Sequence, residues 1–312
     1  MTQQIPNQFS FGNNIDDTQK RPIPSKVKLS INLPSITAVF ITCNEASVLE
    51  TALKSVVSWV NEIIIIDMYS TDGTKEIADQ YATKLLFHER LTYSDPIRTY
   101  SMQQATCDWV FVIDADEIVP DKLGNELLKI VANNQYDVVE IPFQQVFFGT
   151  TAQSGLGNDG YHARLFRRGS IVWPSEVHHA PDISHLRVYR IPMGDLDLNM
   201  HHNTWRSSQI VLDKIIRYTP KEVEKLLANG EHFTFTRMMR KIIGMFIRRM
   251  FLQRGYEDGM VGLVTSLFWT FYTFATYAQF WEAEGRTKKY DKQVIKWGKR
   301  FRFLARTLPS KE

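Results

Sequence analysis

Between positions 36 and 143, short apolar runs alternate with stretches in which apolar residues recur at helical spacing. The runs at 36–42, 63–66, 84–88, 109–113 and 138–143 read as strands, and their near-continuous apolarity predicts burial on both faces. Between the first two, Val48, Leu49, Leu53, Val56, Val57 and Val60 form a broad apolar stripe and predict a helix over 46–60. Thr71 or Asp72 is placed to cap a helix running to Tyr81. Further helices are expected over 97–106 and 123–132. This alternation predicts an α/β fold, a Rossmann-like, mostly parallel sheet with flanking helices. Ligands of such sheets bind at the carboxyl ends of the strands. Polar residues gather at those ends: Thr42, Asn44 and Glu45 after the first run, Asp67 after the second, Asp114 and Asp116 after the fourth.

Outside this pattern the chain changes character. Residues 1–34 are polar, carry Pro6, Pro22, Pro24 and Pro34, and read as a flexible arm that buries too little apolar surface to offset chain entropy. The α/β domain is expected over 35–205, its last part (144–205) being long loops and short strands that flank the site. Residues 206–312 read as a helical, basic and amphipathic C-terminal region.

A length of 312 residues allows one large or two modest domains. The net charge of +3 is too small for general nucleic-acid binding, and no nucleic-acid partner is expected. Cys43 and Cys107 lie far apart and match neither a zinc site nor a disulfide framework, which agrees with a reducing, cytoplasmic compartment. No basic start leads into an apolar stretch at the N-terminus, so no signal peptide is expected.

The candidate chemistry centres on Asp114-Ala115-Asp116-Glu117. Positions i and i+2 of a strand point to one side, so Asp114 and Asp116 can converge where the strand meets its loop. Two carboxylates there suit a hard divalent cation that keeps waters and accepts phosphate oxygens, as a nucleotide diphosphate provides. Taken alone, Asp-x-Asp is short and common, and acidic residues also serve merely to solvate strand ends. Asp72-Gly73 can likewise be an ordinary turn with Asp72 as a helix cap.

At three places the chain resembles the family-two glycosyltransferases: Ile41-Thr42-Cys43-Asn44-Glu45, the strand ending at Asp67 with Met68-Tyr69-Ser70-Thr71-Asp72-Gly73-Thr74, and Asp114-Ala115-Asp116-Glu117. The branch it looks like is a bacterial one that includes lipopolysaccharide-core β-glucosyltransferases. The resemblance implies a GT-A fold and inverting transfer from a nucleotide-activated sugar, usually a UDP-sugar, with Mg²⁺ or Mn²⁺. It implies a donor site of Thr42, Asn44, Glu45, Asp67, Asp72, Asp114 and Arg164. Asp116 would bind the metal, with Asp114 facing it or the ribose, and Glu117 would orient its neighbours. Inverting transfer needs a base for the acceptor hydroxyl. A Val-His-Glu motif is expected in this region, but the chain reads Glu176-Val177-His178-His179, so His179 stands in place of the glutamate. Glu176 and His179 are the candidate bases, His178 orients the acceptor or diphosphate, and Asp159 is a weaker candidate. Arg164 and Arg167 offer planar donors for phosphate. His201 and His202 are either core histidines or cover the metal or diphosphate.

In the C-terminal region, Arg237, Arg240, Lys241, Arg248 and Arg249 alternate with Met, Ile and Phe, a pattern suited to an anionic membrane surface. Residues 259–281 carry no charge yet many hydroxyls and aromatics. Three readings stand: a helix lying in the interface, one buried in a helical subdomain or homo-oligomer, or one spanning the bilayer. A basic tail follows, so 237–306 is expected to meet the inner face of the plasma membrane and the acceptor to be a lipid-linked or lipopolysaccharide glycan. Two other functions remain open. A nucleotidyltransferase would need a basic, glycine-rich triphosphate loop that 43–46 lacks. A catalytically degenerate transferase, acting as a membrane-associated assembly partner, would explain the missing glutamate at His179.

Overall fold

A computed structural model describes residues 34–91, 95–174, 180–285 and 288–306. The chain separates into two compact units: residues up to Phe143 with Gly160–His202, and Gln144–Asp159 with everything from Asn203 onward.

The first unit carries the predicted alternation: β1 (Ile36–Thr42), α1 (Ala46–Val56), β2 (Glu62–Asp67), α2 (Thr74–Tyr81), β3 (Lys84–Phe87), α3 (Asp95–Gln103), β4 (Trp109–Val112), β5 (Glu117–Ile118) and α4 (Asp121–Asn133). Then come β6 (Val138–Phe147), β7 (Thr150–Thr151), β8 (Asn158–Arg167), β9 (Val188–Arg190) and β10 (Met200–Trp205). The sheet order is β3-β2-β1-β4-β8-β6-β10-β5, with β7 and β9 beside β6. β3, β2, β1 and β4 are parallel, as the apolar runs predict, whereas β8 joins β4 antiparallel. The fold is the expected mixed α/β sheet with flanking helices, plus C-terminal helices.

Strand alternation explains the two cores. Ala38, Phe40, Ile63, Ile65 and Phe111 face one side with α1 and α4, while Val39, Ile41, Ile64, Ile66 and Val112 face the other with Ile97 and Met102 of α3. Helix α1 stops at Val56, short of the expected 60: the Trp59 indole donates to the Ser55 carbonyl at 2.9 Å and the chain turns into β2. The largest difference lies in 144–205, expected as loops and short strands. It holds a ten-residue strand, β8, along which buried and exposed positions mix.

The second unit holds α5 (Ser208–Ala228), α6 (Phe235–Ile247), a π-helical turn at Arg248–Leu252, α7 (Gly259–Ala283) and α8 (Asp291–Arg306). No helix among the described residues is long and apolar enough to cross a membrane, which removes the spanning reading of 259–281. The physical reason is the polar content of α7. Thr265, Ser266, Thr273 and Thr276 lie on its buried face with Gly262, Tyr277 and Phe280. Ser266, Thr273 and Thr276 satisfy their hydroxyls on carbonyls four residues back, at 2.7, 3.0 and 3.0 Å.

Candidate active site

Two polar networks lie at the carboxyl ends of the parallel strands, both in the first unit. The β1–β2 register sets Thr42 beside Asp67, and the Thr42 hydroxyl donates to Asp67 Oδ1 at 3.3 Å. Asp67, 1% exposed, also accepts from the Ser70 N–H at 2.9 Å and from the Ser70 hydroxyl. Asn44 has φ of 57°, a left-handed conformation that asparagine tolerates. Its N–H donates to Ser70 Oγ and its Oδ1 accepts from the Thr71 N–H, each at 2.8 Å. The Glu45 N–H donates to Thr74 Oγ1 at 2.8 Å. Asp72 accepts from the Ala46 N–H at 3.1 Å and the Thr74 N–H at 3.0 Å, so its oxygens tie the starts of α1 and α2 together. These hydrogen bonds outweigh burial and hold its carboxyl below the usual range. Tyr69 is also left-handed (φ 50°), strained for a bulky residue, and stacks on Phe87 with ring centres 5.7 Å apart. Thr42, Asn44, Glu45, Asp67 and Asp72 thus form one loop cluster. Ser70, Thr71 and Thr74 join its members, and the hydroxyl run at 70–74 is the signal that could have found them.

The second network surrounds Asp114. The β1–β4 ladder continues past Val112, with the Ile113 N–H donating to Val39 O at 3.1 Å, and Asp114 follows. Arg98 of α3 donates through Nη2 to Asp114 Oδ1 at 2.8 Å and Oδ2 at 3.1 Å. Because Phe111 pairs with Leu165, Arg164 lies level with the end of β4, and its Nη2 reaches Asp114 Oδ2 at 3.3 Å and Glu117 Oε1. Glu117, fully buried, also accepts from the Asp114 N–H at 2.9 Å. Burial alone would raise the Asp114 carboxyl, but the charges of Arg98 and Arg164 hold it well below the usual carboxylate range. Burial pushes Glu117 up, to about 8, against the pull of Arg164 and with the help of Asp114. The Arg98 guanidinium also lies over the Trp173 ring, 4.9 Å from its centre.

Antiparallel pairing of β10 with β5 sets His202 opposite Glu117, and His202 Nε2 lies 3.6 Å from Asp116 Oδ1. His201, in contrast, faces the Leu196 carbonyl at 3.3 Å, and burial lowers its pKa. Asp116 and His202 together offer one carboxylate and one imidazole. Among the described residues no group of three or more His, Cys, Asp or Glu is placed to hold a metal ion. Two protein donors fit an ion that keeps several waters and takes the rest of its ligands from a diphosphate. Asp114, the other expected metal-facing residue, has both oxygens engaged by arginines.

Asp114, Asp116, Glu117, Arg164 and His202 are therefore brought together. Asp159 is engaged by Gln145 Nε2 at 2.9 Å. Glu176, His178 and His179 lie outside the described residues. Arg98 was not foreseen: a single arginine on a short helix gives no sign that it reaches across the sheet edge.

Residues 37–191 match the sequence model of Glycosyl transferase family 2. An uncharacterized glycosyltransferase of Rickettsia felis is 24% identical over 265 residues, covering 82% of this chain and 93% of that protein. Among solved structures, S. aureus TarS 1-349 in complex with UDP-GlcNAc aligns with a TM-score of 0.43 and 14% identity, covering 75% of this chain and 79% of that one. The mannosyltransferase PcManGT of Pyrobaculum calidifontis, in complex with GDP-Man and Mn2+, aligns with a TM-score of 0.41 and 16% identity, covering 90% and 84%. With its strand-end carboxylates inside the matched segment, the chain belongs to glycosyl transferase family 2 and is a glycosyltransferase.

Proposed function

We propose that the protein is a metal-dependent inverting glycosyltransferase that moves a sugar from a nucleotide diphosphate, a UDP-sugar, to a hydroxyl of a lipid-linked or cell-envelope glycan. The observation that carries this reading is the convergence of Asp116 with His202 beside the Asp114 network, at the strand ends where an α/β sheet binds its ligands. The Thr42–Asp72 cluster lies at the neighbouring strand ends and is assigned to the nucleoside. Asp116 and His202 would hold Mg²⁺ or Mn²⁺, which supplies Lewis-acid stabilisation of charge on the departing diphosphate. Arg98 and Arg164 keep Asp114 ionised and fixed, ready to accept from a ribose hydroxyl or a metal-bound water. Glu176 or His179 takes the proton of the acceptor hydroxyl, with His178 orienting it. The acceptor is reached at the inner face of the plasma membrane, where the basic residues of 237–306 favour acidic headgroups.

The test is thermal stability with Mn²⁺ and a panel of nucleoside diphosphates and nucleotide sugars. A ligand that binds only the folded state raises stability as RT ln(1 + [L]/Kd). The expected result is a metal-dependent rise with UDP and one UDP-sugar that is lost in Asp116→Ala. A folded protein that no nucleotide stabilises would overturn the reading and favour a degenerate transferase.

A further inference from the structure

Helix α7 is turned inside out relative to a water-facing helix. Thr265, Ser266, Thr273 and Thr276 are buried, whereas Met260, Leu267, Phe271 and Phe274 are 72, 50, 45 and 45% exposed. The spacing of seven, four and three residues puts these four on one stripe of the helix. No charged residue occurs from Gly259 to Trp281, so nothing on this helix keeps that stripe in water.

The same unit exposes apolar side chains elsewhere. Among the described residues, every exposed large hydrophobic of the protein belongs to it except Tyr69, Val172 and Met193. On α6 and the turn after it, Arg240, Ile243, Ile247 and Phe251 recur at three, four and four residues, all on the exposed side. Arg240, Lys241 and Arg248 flank these apolar residues, and no acidic residue occurs from Phe235 to Arg254. Exposed apolar side chains gathered in one unit in this way mark an interaction surface. Charge decides the partner. Two copies of this face would set arginine against arginine, whereas anionic phosphates complement it. Since no described helix can cross a bilayer, the fitting arrangement is a helix lying in the headgroup boundary.

We propose that Leu267, Phe271 and Phe274 of α7 enter the headgroup–acyl boundary of an anionic bilayer while Arg240, Lys241 and Arg248 engage lipid phosphates. This deepens the membrane location proposed above, and rests on it, by naming the side chains that insert.

The full chain is sedimented with phosphatidylcholine vesicles, with or without about 30% phosphatidylglycerol. The expected result is binding to the anionic vesicles only, weakened about ten-fold in Phe271→Ser/Phe274→Ser and again in Arg240→Ser/Lys241→Ser/Arg248→Ser. Both phenylalanines are half-exposed, so the double variant should keep the wild-type melting curve. A Phe271→Trp variant gives a second readout: its added fluorescence should be quenched by lipids brominated on the acyl chain. Binding that the arginine and lysine changes abolish but the phenylalanine changes leave intact, with no quenching, overturns insertion and spares the membrane location. No binding by the wild-type protein overturns both, without touching the donor reading that nucleotide melts address. A lipid-free dimer that Phe271→Ser/Phe274→Ser dissociates, with vesicle binding unchanged, assigns the stripe to a second copy and overturns the proposal.

Discussion

Arg98 Nη2 donates to both carboxylate oxygens of Asp114, at 2.8 and 3.1 Å, from a helix sixteen residues earlier in the chain. Arg98 is 6% exposed and the Asp114 side chain 28%, so this pair is partly withdrawn from water. Removing Arg98 leaves Asp114 with Arg164, at 3.3 Å, so the loss is that of charge-assisted hydrogen bonds, at a cost of about 2 kcal/mol. Arg98→Ala should therefore lower the unfolding free energy measured in urea by an amount of that order, and Asp114→Asn should also destabilise, because it keeps one accepting oxygen but sets an amide N–H against an arginine donor. Equal stability of Arg98→Ala and wild type would sink this account.

The same network predicts an opposed pair of pH effects. Asp114 is depressed, so its stabilisation is present above the unfolded carboxylate pKa, about 3.9, and is lost on acidification through the lower folded value. Glu117 is raised to about 8, so between pH about 4.5 and 8 the folded state holds a proton that the unfolded state has released. Its contribution is full below that window and declines as pH rises through it, by at most about 1.4 kcal/mol per pH unit. Glu117→Gln removes this titration. Unfolding free energies at pH 5 and pH 8 should differ less in the variant than in wild type. A wild-type minus variant difference that stays constant across those two pH values contradicts a raised Glu117.

Asp116 and His202 should separate metal handling from folding. Neither carries the Arg98–Asp114 hydrogen bonds, although Asp116 acts by charge on Arg164 and Glu117 and His202 on Asp114, so Asp116→Ala and His202→Ala are expected to stay folded with a small shift in melting temperature. Each should weaken the Mn²⁺-dependent stabilisation by UDP and slow sugar transfer by about 100-fold or more, since even outer-shell partners of metal ligands cost 10- to 100-fold. Titration of Mn²⁺ at fixed UDP, followed by melting, reads this directly. If His202→Ala keeps the wild-type Mn²⁺ response while Asp116→Ala loses it, His202 is a structural residue.

What the sequence revealed follows from the range of each interaction. β1, β2 and β4 were legible because strands buried on both faces must be apolar throughout, and Asp67, Asp114 and Asp116 stand out as the points where that apolarity stops. β8 was not, because Asn158 to Tyr161 are not buried while Leu165 and Phe166 lie in the core, so no single period runs through it. Arg98 was hidden for a different reason. Its role depends on how α3 packs over the sheet, and local spacing carries no trace of a contact with Asp114. The orientation of α7 was illegible because Ser266, Thr273 and Thr276 satisfy their hydroxyls on the helix backbone, which lets hydroxyl-bearing residues turn inward beside Tyr277 and Phe280 while Leu267, Phe271 and Phe274 face outward.

Two glycines of the helical unit should respond in opposite ways to the same change. A Cβ built on Gly262 of α7 would stand 1.8 Å from the carbonyl oxygen of Gly255, a backbone atom that cannot swing aside. Gly255 is itself enclosed, since a Cβ there would meet Arg249 O at 2.8 Å and Leu156 Cδ1 at 2.6 Å. Gly262→Ala must therefore push the start of α7 away from the turn before it, and overpacking of this severity costs about 3 kcal/mol or more. Gly244, in the middle of α6, would meet nothing within 4 Å. There an alanine only removes backbone freedom from the unfolded chain, a gain of about 0.5 to 1 kcal/mol. Helical circular dichroism during heating should show Gly262→Ala melting below wild type and Gly244→Ala slightly above it. The same ordering should hold in urea. A Gly262→Ala protein as stable as wild type would mean that Gly255 and Gly262 are not in close backbone contact, and the packing described for the start of α7 would have to be abandoned.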